Sequence, residues 1–466
     1  MRTTTIVGGL SALCLALGCG AKDDDGRGGE AGGGINGGVG TADGSGEADG
    51  DAGNSASADG SGGSGGADSG SGSASASATN GNGGDGAPKF DVATMPDSNA
   101  ESLCEPGGGG GKMGGGGDGP DYSYLWAANS TQGTISKIDT QTVLEVGRFQ
   151  VRPDGGGSPS RTSVSLSGHV AVASRQGGVS KFYATDDLCV ESNGTPGIQT
   201  STTNAPLAWD QEECRAWHTP FAYSSQRPLA WATGEWNYET CSYSNELLWT
   251  AGRNGSVSSA DVILMDGDTG VVLDMVTING LASDQYGIYG AAVDAEGNFW
   301  GSQLSGTRLI NVNLATMATQ VWTPPSGGGY GMTVDADGYV WICASQLKRY
   351  DPATDSWLQS ASGIGSSGCM ADAGNNDLLW VASGSFIRGV NRQTLLVERE
   401  WSVPGAYGIS IDFAGYVWAV AYFGGAHRVD PETGAVTSYN GLTGAYTYSD
   451  MTGAALVAVS GGAPTG

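Results

Sequence analysis

Downstream of about residue 123, hydrophobic and polar positions alternate with a period of two in short runs separated by turns rich in Gly, Asp and Asn. Such alternation places one set of side chains on each face of a β-strand, and the punctuation marks the reversals between strands. The run Tyr289-Gly-Ala-Ala-Val-Asp-Ala-Glu-Gly-Asn-Phe-Trp300 returns as Tyr330-Gly-Met-Thr-Val-Asp-Ala-Asp-Gly-Tyr-Val-Trp341 and as Tyr407-Gly-Ile-Ser-Ile-Asp-Phe-Ala-Gly-Tyr-Val-Trp418. A looser copy runs from Cys369 through Asp372 to Trp380. The tryptophans recur at intervals of 41, 39 and 38 residues, the length of a four-stranded repeat. Each copy predicts an alternating strand, an Asp-x-x-Gly turn, a strand carrying the Trp, and a third strand.

A second turn repeats as Asp139-Thr-Gln-Thr, Asp266-Gly-Asp-Thr, Asn313-Leu-Ala-Thr, Asp351-Pro-Ala-Thr, Asn391-Arg-Gln-Thr and Asp430-Pro-Glu-Thr. Asp and Asn side chains hydrogen-bond the backbone two residues on, so these acids are read as turn formers and not as metal ligands. Leu125 to Phe149 holds a Trp strand and two more but lacks the Tyr-Gly strand that opens the other copies. Tyr448 to Val459 reads as an innermost strand with nothing after it, so the two fragments complete each other and remove the open edges. With units from Arg161 to about Asp187 and from Arg227 to Ile278, the pattern predicts an all-β, seven-bladed β-propeller whose C-terminal strand closes the first blade. Trp126, Trp249, Trp300, Trp341, Trp380 and Trp418 are expected to pack between blades.

The rest of the chain differs in kind. Arg2, the apolar run Ile6 to Leu17 and small residues around Cys19 form an export leader over 1–18, too short to span a bilayer. Leu15-Ala-Leu-Gly-Cys19 resembles a bacterial lipobox, which makes Cys19 the lipid attachment point, with Gly20 and Ala21 favouring the outer membrane or cell surface. Residues 19–103 are a Gly/Ser/Ala/Asp-rich linker expected to be disordered, since they cannot bury enough apolar surface to offset ordering entropy. A coil of that length reaches on the order of 50 Å. Residues 104–466 make the propeller, with a disulfide-braced insertion at about 189–226.

Of the net charge of −27, residues 20–103 hold 14 acids and 3 bases, or −11. With no basic patch to neutralise phosphates, nucleic acid is excluded as a partner class. Apart from Cys14 and Cys19, six cysteines remain: Cys104, Cys189, Cys214, Cys241, Cys343 and Cys369. An even count in an exported chain predicts disulfides, with 15 connectivities open, and no Cys-x-x-Cys spacing supports a metal.

The repeat Tyr-Gly-x-x-Val/Ile-Asp-x-x-Gly-x-Val/Phe-Trp resembles that of the streptogramin lyase (virginiamycin B lyase) family and related NHL-type propellers, over about residues 285 to 440. Ser160-Arg-Thr-Ser-Val, Asp210-Gln-Glu-Glu-Cys214 with Trp217-His218-Thr219, and Tyr448-Ser-Asp-Met-Thr resemble segments of myxobacterial lipoproteins of unassigned function. The lyase resemblance implies elimination with a glutamate-held magnesium ion and a histidine base. Its repeats begin His-Gly-Ile and carry a Glu after the Trp. Here those first positions are Tyr289, Tyr330 and Tyr407, and Gln303 but no Glu follows the tryptophans. The catalytic set does not carry over, and no catalytic or metal residue is assigned. His169 and His427 fall beside or on strands; His218 lies in the insertion.

Two candidate sites remain. Tyr289, Tyr330, Tyr407 and Tyr448, with Arg161 and Arg227, occupy equivalent starts of innermost strands at the channel mouth, where phenols and guanidiniums suit a sugar or carboxylate ligand. The alternative is that they only bond channel water and neighbouring turns. Trp217, His218, Tyr223 and Trp236 offer a cap surface, or the small core of that cap. The expectation is a monomeric, lipid-anchored module binding a small molecule, glycan or protein, without a cofactor. The competing expectation is a lyase or hydrolase with an altered site, of which only the lyase would need Mg2+.

Overall fold

The computed structural model describes residues 123–237, 242–372 and 377–461. The leader, Cys19, the linker, Cys104 and Cys241 lie outside the described residues.

The repeats fold as antiparallel meanders. Ile288–Val293, Phe299–Gln303, Leu309–Val312 and Thr319–Trp322 make one, and Gly331–Val334, Val340–Cys343, Lys348–Asp351 and Ser356–Gln359 the next. Cys369–Ala371, Leu378–Ala382 and Gly384–Asn391 lead into a 15-residue strand, Val397–Ile411. Its first half pairs with Gly384–Asn391 and its second with Val417–Ala421, so one strand ends a meander and opens the following one. Upstream, Pro159–Val164 starts one four-stranded sheet and Ser225–Trp231 another, and consecutive first strands pack side by side around a central channel.

The repeated Asp and Trp are two halves of one bond. Trp300, Trp341 and Trp418 donate their indole N–H to Oδ2 of Asp294, Asp335 and Asp412 at 2.8, 2.8 and 2.7 Å. The other carboxylate oxygen accepts backbone N–H groups of the turn, those of Asp337 and Tyr339 in the case of Asp335. The six second turns also share a conformation. The residue four places after each Asp or Asn is left-handed, as Val143, Met317 and Leu395 are at φ 60, 55 and 58° and Gly270 and Gly434 are at 73°. Only two of the six positions carry the glycine that would have announced it.

The ring closes at the first sheet, but not in the predicted register. Gly444 to Met451 runs beside Tyr124–Asn129, with Ser130 N–H donating to Gly444 O, Tyr446 N–H to Ala128 O and Trp126 N–H to Met451 O at 2.9–3.0 Å. The strand expected over Tyr448 to Val459 is corrected accordingly: Ala454–Ser460 is an α-helix. Gly453 turns the chain at φ 91°, and the Asp450 carboxylate accepts the N–H groups of Gly453 and Leu456 at 2.8 and 3.2 Å, which starts the helix. An unbroken apolar run such as Ala-Ala-Leu-Val-Ala-Val fits a buried helix as well as a buried strand.

A second correction concerns the insertion. Arg215–Thr219 is the fourth strand of the second sheet, paired with Val179–Phe182, so the excursion ends at Cys214 and not near Gln226. Disulfides join Cys189 to Cys214 and Cys343 to Cys369, the latter linking two consecutive meanders.

Candidate functional site

Each Tyr-Gly pair opens an innermost strand, and the glycine explains why the tyrosines meet. A Cβ on Gly290, Gly331 or Gly408 would lie 2.9, 2.6 or 2.1 Å from the next innermost strand, at Met332, Ser367 and Thr447. Only glycine permits that approach, and it narrows the channel until the rings touch.

Tyr289, Tyr330, Tyr407 and Tyr448 therefore converge, with ring centroids 4.5 Å apart for Tyr330 and Tyr448 and 4.9 Å for Tyr330 and Tyr407. Tyr446, which sequence reasoning missed, ties them together. Its hydroxyl bonds those of Tyr289, at 2.6 Å, and Tyr330, and accepts a longer bond from Tyr448. Tyr289, Tyr446 and Tyr448 are buried, and burial raises the pKa of Tyr289, Tyr330 and Tyr407, so all three stay neutral phenols.

Arg161 lies beneath them, buried, with its guanidinium on the Tyr448 ring. It donates to Tyr289 O at 2.7 Å and Tyr448 O at 3.0 Å, tying strands far apart in sequence across the channel. Burial lowers its pKa to about 10, which leaves it charged at neutral pH. Arg227 faces Tyr286 and Tyr289 at 5.0 and 5.1 Å. The space left between Arg161, Tyr330 and Tyr448 is about 10 Å3, room for one water at most. At the far end Leu456 and Val459 of the helix enter among the innermost strands and leave about 30 Å3. The predicted mouth residues are together, but they fill the channel.

What faces solvent at that end is the turn after Val417–Ala421. Tyr422 and Phe423 are 42% and 50% exposed, and Tyr422 packs on Tyr407 and Tyr446. Phe423 is held left-handed at φ 52°, a strained setting for a bulky aromatic residue. No repeat marks this turn, so the sequence offered little to find it by.

The predicted cap residues are dispersed. Trp217 is buried with its indole on Gly267 O at 3.0 Å, a contact between neighbouring sheets. His218 bonds Ser180 Oγ through Nδ1 at 2.8 Å and meets the edge of Trp209, and burial lowers its pKa to about 4. Tyr223 donates to Asp261 at 2.8 Å, and Trp236 packs on Tyr243 in a small hairpin. The one group of three metal-ligating side chains among the described residues is Asp186, Cys189 and Cys214, and its cysteines are spent in the disulfide. Gln303, three residues after Trp300, is buried, and its amide oxygen accepts Ala282 N–H.

His169 yields a pH test. It is buried, its Nδ1 accepts Ala184 N–H, and desolvation lowers its pKa to about 3. The folded protein keeps it neutral while the unfolded chain protonates it below about 6.5, so its contribution is intact above that pH and is lost as the pH falls. From pH 7.5 to 5 the loss is about 2 kcal/mol. Asp412 and Asp450, raised to about 6 by burial, act in the opposite sense, gaining stability as they protonate. His169→Asn keeps the acceptor without the proton. Urea unfolding at the two pH values is expected to shift by about 2 kcal/mol in its favour at pH 5 relative to the parent.

Radial meanders around a filled channel, closed by the C-terminal segment beside the first sheet, decide the architecture. The fold is a β-propeller. Neither a protein family nor a curated protein matches the chain. Several solved structures match the propeller. Virginiamycin B lyase from Staphylococcus aureus does so at 14% identity, over 60% of this chain and 84% of that one, with a TM-score of 0.40. A protein of unknown function from Desulfotomaculum acetoxidans matches at 10% identity over 70% and 98%, with a TM-score of 0.49. AztD from Citrobacter koseri matches at 12% identity over 71% and 96%, with a TM-score of 0.43. These likenesses concern the fold alone. No helix among the described residues is long and apolar enough to cross a membrane.

Proposed function

We propose that this protein is a seven-bladed, lipid-anchored binding module, carried from Cys19 on the Gly/Ser-rich linker and recognising a glycan or similar ligand on its exposed propeller face. The count of seven takes the long strand Val397–Ile411 as shared by two blades and Gly444 to Met451 as the missing strand of the first. The observation that carries the binding reading is the filled channel. Where a lyase-type repeat would place its base and metal ligands, four tyrosines and Arg161 are used up on one another.

Recognition then falls to Tyr422 and Phe423, which offer flat apolar rings at low entropic cost. Removing both rings, as Tyr422→Ala with Phe423→Gly, is expected to abolish glycan-array binding. The fold is expected to survive, because glycine relieves about 1 kcal/mol of left-handed strain at position 423. Unchanged binding in a folded variant would move the site elsewhere. Magnesium-dependent opening of a cyclic depsipeptide by the purified protein would establish the lyase alternative instead.

A further inference from the structure

A wider open space lies away from the channel, where the insertion arches from the second sheet over the third strand of the first. It is a cleft of about 590 Å3, within the usual range for small-ligand sites. The arch is rigidly made. Glu213 accepts the N–H groups of Ser192, Asn193 and Gln199. Glu212 accepts from Thr200, Ser201 and Cys214, and the Cys189–Cys214 disulfide closes the base. Arg148 N–H, on the first sheet, donates to Ser201 Oγ at 3.1 Å and so docks the arch. These bonds and the disulfide hold one wall of a cavity, where a bare loop would serve to join two strands.

The walls differ in chemistry. Tyr124 and Tyr183, both half-buried, form the aromatic sides, and Asp186 and Asp187 stand exposed at the rim. Thr185 and Thr202 add hydroxyls. Lys137 forms the floor, its Nζ donating to Ala184 O and lying 4.2 Å from the Tyr124 ring centre. Burial lowers its pKa to about 8, which leaves it charged at pH 6.5, so a ligand's ammonium group belongs at the rim beside Asp186 and Asp187 and not on the floor.

We propose that this cleft binds an amino sugar, with the ring held between Tyr124 and Tyr183, its hydroxyls met by Thr185 and Thr202, and its ammonium group by Asp186 and Asp187. Phenol faces take the apolar side of a sugar ring and attract a cation, and paired carboxylates at the rim reject acidic sugars and reward an ammonium. The site is independent of the channel-mouth turn, so each can fail without the other.

The test is calorimetric titration of the full chain at pH 6.5 with the β-1,4-linked glucosamine disaccharide, its doubly N-acetylated form, and cellobiose. The glucosamine disaccharide is expected to bind saturably and at least ten-fold more tightly than the other two. Asp186→Asn with Asp187→Asn, both surface changes, is expected to remove that preference, while Tyr422→Ala with Phe423→Gly leaves it intact. Absence of saturable binding, equal binding of the three sugars, or an unchanged preference in the Asn variant would each overturn the proposal.

Discussion

Replacing Arg161 with methionine is expected to lower the free energy of unfolding by about 2–4 kcal/mol, measured by urea denaturation. The side chain is 1% exposed, and its donors satisfy main-chain carbonyls of Tyr289 and Tyr448 that have the interior of the channel for surroundings. Methionine fills the volume but strips the buried Tyr289 carbonyl of both guanidinium donors and leaves Tyr448 O only Ser449 Oγ, and a buried acceptor left short costs about 1–3 kcal/mol. Lysine is expected to rescue little. A compact ammonium cannot lie flat on the Tyr448 ring while reaching carbonyls on two strands, as the planar guanidinium does. A variant that kept its stability and lost only ligand binding would return Arg161 to the role that its sequence position first implied.

Asp335→Ala is expected to cost a similar amount, about 2–4 kcal/mol, seen as a lower denaturation midpoint. The carboxylate is buried and accepts the Trp341 indole and the N–H groups of Asp337 and Tyr339. It also lies 2.9 Å from Arg392, which is itself largely buried. Alanine leaves three donors without their acceptor at once and takes one of three carboxylates from Arg392, which keeps Asp337 and Asp377. Asp294→Ala is expected to cost less, since Asp294 is only half-buried.

The sequence and structure agree where physics repeats itself. An Asp that must bond the Trp six places on, and a Gly that must let two strands touch, recur in every well-formed copy, so the strands from Ile288 to Val429 could be placed from their spacing. The same logic put the four tyrosines and Arg161 at one level of the channel. Whether a residue at that level faces solvent depends on the channel's width, which the glycines and Tyr446 set jointly and which no single repeat encodes. The helix Ala454–Ser460 was missed because a fully buried apolar run has no polar face to show its period. The strand Arg215–Thr219 was hidden because the excursion before it separates it from its sheet. The cleft joins Tyr124, Lys137 and Tyr183 with Asp186 through packing between two sheets, and no spacing along the chain announces that.

The C-terminal segment lies against the first strand, and this bears on how the protein is made. A polypeptide delivered from its N-terminus offers Tyr124–Asn129 early, and the partner segment Gly444 to Met451 only when nearly the whole chain has emerged. Until then every completed blade belongs to an open arc with a bare strand at each end, the kind of edge that recruits other chains. Vectorial delivery of this protein thus ends in a single late closure step, and a chain cut short anywhere before Gly444 is left without its clasp.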